Sequence, residues 1–230
     1  MAMPPYSQNV NIFFFLASFG LARSSRGWIF LGRKSHYIQT PNHKDIQFLN
    51  ALRCSGVCSK EQALNFITAN RLKNFVLDRT IQKCSYIDDK GNRQAVYRIS
   101  DDGRKWIAQN VPTLADRKYY TSTGTEHDLR LMNKIISLTP EQRLSMRCEA
   151  EIRDDFKAHL DKLLEDKLYD RHEELYNAMA SHTISMPDLC YGTNEYYEVI
   201  TSAYSEIEVN AKIEAVAIIG NGGTLEMERI

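Results

Sequence analysis

The sequence contains few of the patterns that identify an enzyme class directly. Its five cysteines form no C-x-x-C pair, so neither a disulfide framework nor a zinc knuckle is expected, and reduced thiols in the cytoplasm are the default. The six histidines form no H-E-x-x-H motif. No glycine-rich phosphate-binding loop occurs in the sequence either, so we expect no nucleotide cofactor.

Long apolar runs are also scarce. The only strongly apolar run extends from Ile12 to Ala22, which is shorter than the roughly 20 residues that a membrane-spanning helix needs. No Lys or Arg precedes this run, so the basic start of a signal peptide is missing. We therefore expect no membrane partner. For this N-terminal extension, residues 1–42, a buried strand or helix and an unstructured segment both stay open.

The net charge of zero conceals a gradient along the 230-residue chain. Residues 1–42 carry four basic side chains and no acidic ones, whereas residues 43–111 carry twelve basic and seven acidic ones. Residues 112–230 carry thirteen basic and twenty-two acidic side chains. This asymmetry favours a front half that faces nucleic acid and an acidic back half that could hold metal ions, although a chance partition of surface charge gives the same pattern.

Residues 43–111 have the order of elements that is typical of a winged helix. Ile46, Leu49 and Leu52 recur at helical spacing, and Ser59 with Gln62 forms a capping-box signature. The predicted elements are helices over 43–52, 60–67 and 68–81, a hairpin turning at 88–91 and a closing helix over 103–110. The run from Tyr97 to Gly103 also resembles the end of the wing in winged-helix regulators.

Double-stranded DNA is the partner that this arrangement predicts. In helix-turn-helix modules the second helix of the motif enters the major groove. That helix would cover 68–81 here, and the hairpin would reach phosphate or the minor groove. The candidate contacts are Asn70, Arg71, Lys73 and Asn74 on the helix and Lys90 and Arg93 on the wing. A module used only for protein contacts is the alternative, and self-association into a homodimer stays open.

The back half, residues 125–230, follows an α-β-β-β-α-β order after a polar link. The predicted elements are a helix over 126–138, a strand over 143–152, a hairpin over 186–201, a helix over 205–219 and a strand over 224–230. Between the first strand and the hairpin lies an amphipathic stretch over 154–181. We interpret it as a long helical insertion, either one helix or two joined near Asp170. The fold class is therefore α+β or α/β.

This order resembles the core of the PD-(D/E)XK nuclease superfamily, which includes restriction endonucleases. The residues that carry the resemblance are Pro187-Asp188, Glu198, Glu149 or Glu151 on the first strand, and Glu126 on the preceding helix. A hairpin that sets Asp188 beside Glu198 makes an oxygen-rich pocket suited to Mg²⁺, with Glu149 as a further ligand. Two adjacent carboxylates repel, so at least one of them should have a raised pKa without metal.

The lysine of that superfamily is missing from its usual place. It should lie two residues after Glu198, where this chain has Ile200. Lys212 on the following helix could supply the positive charge instead. Alternatively, Lys212 forms an i,i+4 pair with Glu208. His127 is an accessory candidate, with a helix-capping or core role as its alternative.

The whole arrangement is also similar to the replication-relaxation family of plasmids and integrative elements. Glu126-His127-Asp128-Leu129, Glu149 or Glu151, Pro187-Asp188 and Glu198 carry this similarity, over residues 43–230. It implies a protein of plasmid, phage or mobile-element DNA that acts in replication, relaxation or metal-dependent nicking. The alternative is a non-catalytic regulator of transcription or replication whose back half mediates assembly. A pure protein-interaction module is the third interpretation.

Overall fold

The computed structural model describes residues 22–24, 27–29, 36–122 and 124–230. The chain divides into two compact units, residues 1–35 and 36–230, and the described part is a mixed α+β protein. In the first unit, strands β1 (Ala22–Ser24) and β2 (Gly27–Ile29) pair antiparallel. The apolar run predicted from Ile12 lies outside the described residues, apart from Ala22.

The first part of the second unit contains four helices and a three-stranded sheet. They are α1 (His43–Ser55), β3 (Cys58–Ser59), α2 (Lys60–Ala63), α3 (Ala69–Leu77), β4 (Ile81–Ile87), β5 (Arg93–Ile99) and α4 (Asp101–Asn110). The strands lie in the order β3-β5-β4, with both pairs antiparallel. The predicted order of helices and hairpin is therefore present.

Local capping determines where these helices begin. Ser59 and Gln62 form the predicted capping box, and the Thr68 hydroxyl accepts a hydrogen bond from the Arg71 backbone N–H. Two helices end earlier than predicted. The second stops at Ala63, and the third stops at Leu77, because Arg79 adopts a positive φ of 61°, which a right-handed helix cannot contain.

The second part carries a four-stranded sheet and further helices. After a 3-10 helix (Pro112–Leu114) come α5 (Thr125–Ser137), α6 (Pro140–Ser145), β6 (Arg147–Cys148), α7 (Glu149–Glu165), α8 (Tyr169–Ala180), β7 (Leu189–Tyr191), β8 (Glu195–Ile200), α9 (Glu206–Ile219) and β9 (Thr224–Arg229). The strand order is β6-β7-β8-β9. The first two pairs are antiparallel, and β8 pairs with β9 in parallel.

The strand predicted over 143–152 is wrong for most of its length. Thr139 and Gln142 form a capping box with Pro140 in the first turn, so a helix forms where the strand was expected. Only Arg147–Cys148 is a strand, and Glu149 begins α7. The apolar residues Cys148, Ile152 and Phe156 recur every four positions, as a buried helix face requires. The following insertion forms two helices, with Lys167 at a φ of 59° between them.

The two predicted domains pack against each other as one unit. Helix α1 packs on α5 and α6, and one hydrophobic core contains Phe48 and Trp106 from the front segment with Leu131 and Tyr197 from the back segment. A second core lies between α7, α8, α9 and the sheet. Within the described ranges, no helix has the length and apolar character required to cross a membrane.

A buried arginine connects the two segments by polar contacts. Arg53 on α1 is 1% exposed. Its guanidinium donates to Glu151 Oε2 at 2.7 Å, to Asn50 Oδ1 at 2.8 Å and to the Met146 carbonyl at 3.2 Å. A guanidinium taken out of water needs such a complete set of acceptors. The α1 helix is therefore fixed in its orientation on the back segment.

Candidate functional site

Five charged or titratable side chains meet where helix α5 and helix α9 approach the hairpin β7–β8. We call His127, Asp128, Asp188, Glu198 and Lys212 the buried charge cluster. None of them is more than 7% exposed. Ionisable groups are rarely buried to this extent unless they are paired with one another.

The hairpin brings the two central carboxylates side by side. Leu189 pairs with Tyr197 across the antiparallel strands, and continuing that register by one residue sets Asp188 opposite Glu198. The Asp188 backbone N–H donates to Glu198 Oε2 at 2.9 Å. The Val199 backbone N–H donates to Asp188 Oδ2 at 3.0 Å. These reciprocal bonds hold both side chains in fixed orientations.

Lys212 reaches this pair from α9. Its Nζ lies 3.0 Å from Glu198 Oε1 and donates to the Met186 carbonyl at 2.6 Å. The alternative partner, Glu208, instead accepts hydrogen bonds from the Ser205 backbone and hydroxyl. Ile200, which occupies the expected lysine position, is 4% exposed and packs in the interior. The ammonium therefore comes from the following helix.

His127 is the second cation of the cluster. Its Nε2 lies 3.1 Å from Asp188 Oδ2, its Nδ1 lies 3.6 Å from Asp128 Oδ1, and its ring stacks on Tyr120. Burial disfavours the charged imidazolium, but the hydrogen bonds to Asp128 and Asp188 outweigh burial and raise the pKa of His127 to about 10. At neutral pH this imidazolium offsets part of the negative charge of the two aspartates.

The electrostatic balance leaves Glu198 easily protonated. Burial and repulsion by Asp188 raise the pKa of Glu198 to about 7, although Lys212 acts in the opposite direction. Burial, with the charges of Glu198 and Asp188, also raises the pKa of Tyr204, so its hydroxyl keeps its proton. The Lys212 ammonium and the Tyr204 hydroxyl are polar neighbours of the Glu198 carboxylate, and His127 Nδ1 is the neighbour of Asp128 Oδ1.

A cleft of about 650 Å³ gives access to one side of the cluster. His127 and Tyr204 line it, together with the tip of the β4–β5 hairpin, the start of α5 and the chain after β8. Three acidic residues, Asp88, Asp89 and Glu126, lie at its rim, and a hydrogen bond to Asp89 raises the pKa of Glu126. A bound molecule in this cleft would meet the His127 imidazole and the Tyr204 phenol before the carboxylates of Asp188 and Glu198.

No family model, curated protein or solved structure matches this chain.

The side chains of the remaining predicted acids have partners other than Asp188 and Glu198, although the Glu149 backbone N–H donates to the Asp188 carbonyl at 3.1 Å. Glu149 forms an ion pair with Arg153, one turn along α7, and Glu126 is exposed at the cleft rim. Glu151 contacts Arg117 and Arg53. Burial raises its pKa, but these two cations outweigh burial and hold the pKa of Glu151 at about 2. Among the described residues, no group of three or more His, Cys, Asp or Glu side chains is arranged to hold a metal ion.

The side chains predicted to contact DNA differ in their exposure and in the partners that they already have within the protein. Asn70 and Lys73 are exposed on α3, and Asn74 is half-buried. Arg71 instead forms a bidentate pair with Asp45, at 2.9 Å to Oδ1 and 2.5 Å to Oδ2. On the hairpin, Lys90 and Arg93 are exposed, and Arg93 donates to Ser85 Oγ at 3.0 Å.

Sequence reasoning named Asp128 only as part of the motif Glu126-His127-Asp128-Leu129, missed Tyr204 and left His127 undecided. Asp128 follows His127 at the start of α5 and precedes the apolar Leu129. Polar residues next to an apolar helix position are often buried, and a buried polar group needs a hydrogen-bond partner. Tyr204 lies in the turn after β8, and nothing in its sequence neighbours points to Glu198. Its role depends on the path of the chain after the hairpin.

Proposed function

We propose that this chain is a DNA-binding protein with a nuclease-type site formed by Asp188, Glu198 and Lys212. The observation that carries the proposal is the Lys212 ammonium, 3.0 Å from Glu198 Oε1, beside two carboxylates on a hairpin. The order α5-β6-β7-β8-α9-β9, with one parallel pair at the end, supports a nuclease-like core for residues 125–230. The resemblance adds plasmid, phage or other mobile-element DNA as the substrate.

The front segment supports duplex DNA as the partner. Three helices followed by the β4–β5 hairpin, with β3 completing the sheet, are the parts of a winged helix. Helix α3 would enter the major groove with Asn70 and Lys73, which are exposed. Arg71 contributes less to this surface, since Asp45 already occupies its guanidinium.

The donor set also fits a divalent metal ion. Mg²⁺ in proteins is often held by one or two carboxylates, with water and substrate phosphate completing its shell. Asp188 and Glu198 provide two adjacent carboxylates, and Lys212 Nζ lies 3.0 Å from Glu198 Oε1. These two residues would hold the ion. When bound, it would lower the pKa of an attacking water and neutralise charge on the scissile phosphate.

The chain's own groups have distinct tasks in this scheme. Lys212 provides a compact positive charge that its hydrogen bond to the Met186 carbonyl orients toward Glu198. The His127 imidazolium lies 3.1 Å from Asp188 Oδ2 and holds that side chain in position. The Tyr204 hydroxyl retains its proton and donates it to the Glu198 carboxylate at the side of the cleft.

A non-catalytic regulator is the second candidate, and the burial of the cluster favours it. All five members are at most 7% exposed, and two cations already contact the carboxylates. Cleavage requires that the scissile phosphate reach these groups. In a regulator, the same network would serve only to join α5, α9 and the sheet.

Nicking of supercoiled plasmid in Mg²⁺ or Mn²⁺ tests the proposal. The parent should convert supercoiled to open-circular DNA, and Lys212→Met and Glu198→Gln should lose this activity while retaining duplex binding. Lys157→Met, which removes an exposed lysine of α7, is the charge-matched control and should nick like the parent. A folded parent that binds duplex DNA and nicks no substrate in either metal supports the regulator instead.

A further inference from the structure

A second cavity, of about 590 Å³, lies between the β4–β5 hairpin, the end of α1, helix α4 and the chain leading to α5. We call it the arginine pocket. Its polar lining includes Ser85, Arg98, Arg104, Thr121, Ser122 and Thr125. Its volume is in the range of small-molecule and cofactor sites.

The lining of this pocket carries positive charge without negative charge. No Asp or Glu of the described chain lines it. Arg98 donates to Gln82 Oε1 at 3.4 Å, and Arg104 lies over the Tyr119 ring at 4.8 Å. Within residues 36–122 and 124–230, neither guanidinium forms an ion pair with a carboxylate. Both keep N–H donors for an anion.

The lining of the arginine pocket comes from two parts of the chain. Arg98 projects from the same face of β5 as Val96, and Val96 pairs with Cys84, so the hairpin forms one wall. Thr121, Ser122 and Thr125, on the chain that leads to α5, also line the pocket. Guanidinium groups combined with hydroxyl donors match the oxygen atoms of a phosphate group.

We propose that the arginine pocket binds a phosphate group, supplied by the nucleic-acid backbone. The pocket shares Tyr86 and Thr125 with the cleft beside His127, so the two cavities adjoin. The choice of nucleic acid rests on the proposed function, whereas the phosphate chemistry rests on the lining alone. Arg98 and Arg104 then position DNA independently of helix α3.

The first arm of the test measures duplex binding by the full chain as a function of salt. Each phosphate that the protein neutralises adds about 0.9 to the slope of log affinity against log salt. Arg98→Gln/Arg104→Gln should therefore lower the slope by about 0.9 for each phosphate that the pocket no longer binds. Arg98→Lys/Arg104→Lys should retain most of the slope. Lys105→Gln/Lys157→Gln removes two exposed charges outside the pocket and serves as the matched control, and circular dichroism verifies the fold of each variant.

The second arm titrates the parent with inorganic phosphate and with a 5′-phosphorylated dinucleotide by calorimetry. A slope change confined to the arginine variants assigns the pocket to the DNA backbone. If the parent gives a heat of binding with inorganic phosphate, Arg98→Gln/Arg104→Gln gives none, and the salt slope of duplex binding is unchanged, then the pocket binds a free phosphate compound. If the parent binds no duplex DNA, the proposed function fails, and the calorimetric titration alone decides whether the pocket binds phosphate. The pocket assignment is overturned if the parent gives no heat of binding with phosphate and the salt slope is unaltered in the arginine variants. It is equally overturned if the parent binds neither phosphate nor duplex DNA.

Discussion

Replacement of Arg71 by alanine tests whether this residue serves the fold or the DNA. Its Nε and Nη2 donate to both oxygens of Asp45, and Nη2 also donates to the Thr40 carbonyl at 3.2 Å. The Asp45 side chain is fully buried, whereas Arg71 keeps 26% of its side chain exposed. Arg71→Ala therefore leaves a buried carboxylate without its cation.

The expected loss of stability lies at the lower end of the range for such pairs. Removing one partner of a buried ion pair costs about 3–5 kcal/mol. The Asn42 backbone N–H still donates to Asp45 Oδ2 at 2.7 Å, and water can enter where the arginine was. We expect a loss of about 3 kcal/mol, which corresponds to a drop in Tm of roughly 6–12 °C for a unit of this size.

Thermal unfolding followed by circular dichroism measures this loss. Lys73→Ala, on the same helix and exposed, should change stability by no more than about 0.5 kcal/mol. The double variant Asp45→Asn/Arg71→Gln should recover part of the loss, since the buried charge is removed. An Arg71→Ala protein that unfolds at the parent's Tm would refute the reasoning. DNA-binding tests of α3 should accordingly use Lys73→Ala.

Two further predictions concern the buried charge cluster and its surroundings. Gly56 has a φ of 84°, and an added Cβ would lie 2.8 Å from Asp128 Oδ2, so Gly56→Ala should lower stability by about 2–3 kcal/mol. Gly91→Ala, at a φ of 79° with nothing within 4 Å, should lose only about 1 kcal/mol, and equal losses in urea unfolding would contradict this account. Since the folded pKa of His127 is raised to about 10, its stabilisation is complete below pH 6.5 and is lost as pH rises toward 10. Between pH 7 and 10, the free energy of unfolding of the parent should fall more than that of His127→Gln. Identical pH profiles would show that His127 is not a charged member of the cluster.

Local signals explain which parts of the fold the sequence predicts well. Side-chain caps at Ser59 and Ser205 act within one turn, so the start of α2 and of α9 could be predicted from neighbouring residues. The stretch from Met146 to Ile152 has apolar residues at a spacing that suits both a strand and a helix. The capping box at Thr139 and the burial of Phe156 decide between them in the folded chain.

The site itself was only partly predictable because its contacts are long-range. Asp188 and Glu198 are neighbours across a hairpin, whose register follows from the turn between them. Lys212 could reach the pair only through the packing of α9 on the sheet, and sequence alone left it equally able to pair with Glu208. The pair Arg71–Asp45 spans 26 positions, so an exposed-looking arginine gave no sign of its buried partner.

Binding of Mn²⁺ to the full chain, measured by calorimetric titration, tests the central claim most directly. Asp188 and Glu198 should hold the ion, so the parent should give a saturable heat and Asp188→Asn should give none. Glu149→Gln is the control and should bind like the parent, because Glu149 is paired with Arg153. A folded parent that gives no heat with Mn²⁺ or Mg²⁺, or an Asp188→Asn variant that binds as tightly as the parent, would contradict a metal-dependent nuclease site at this hairpin.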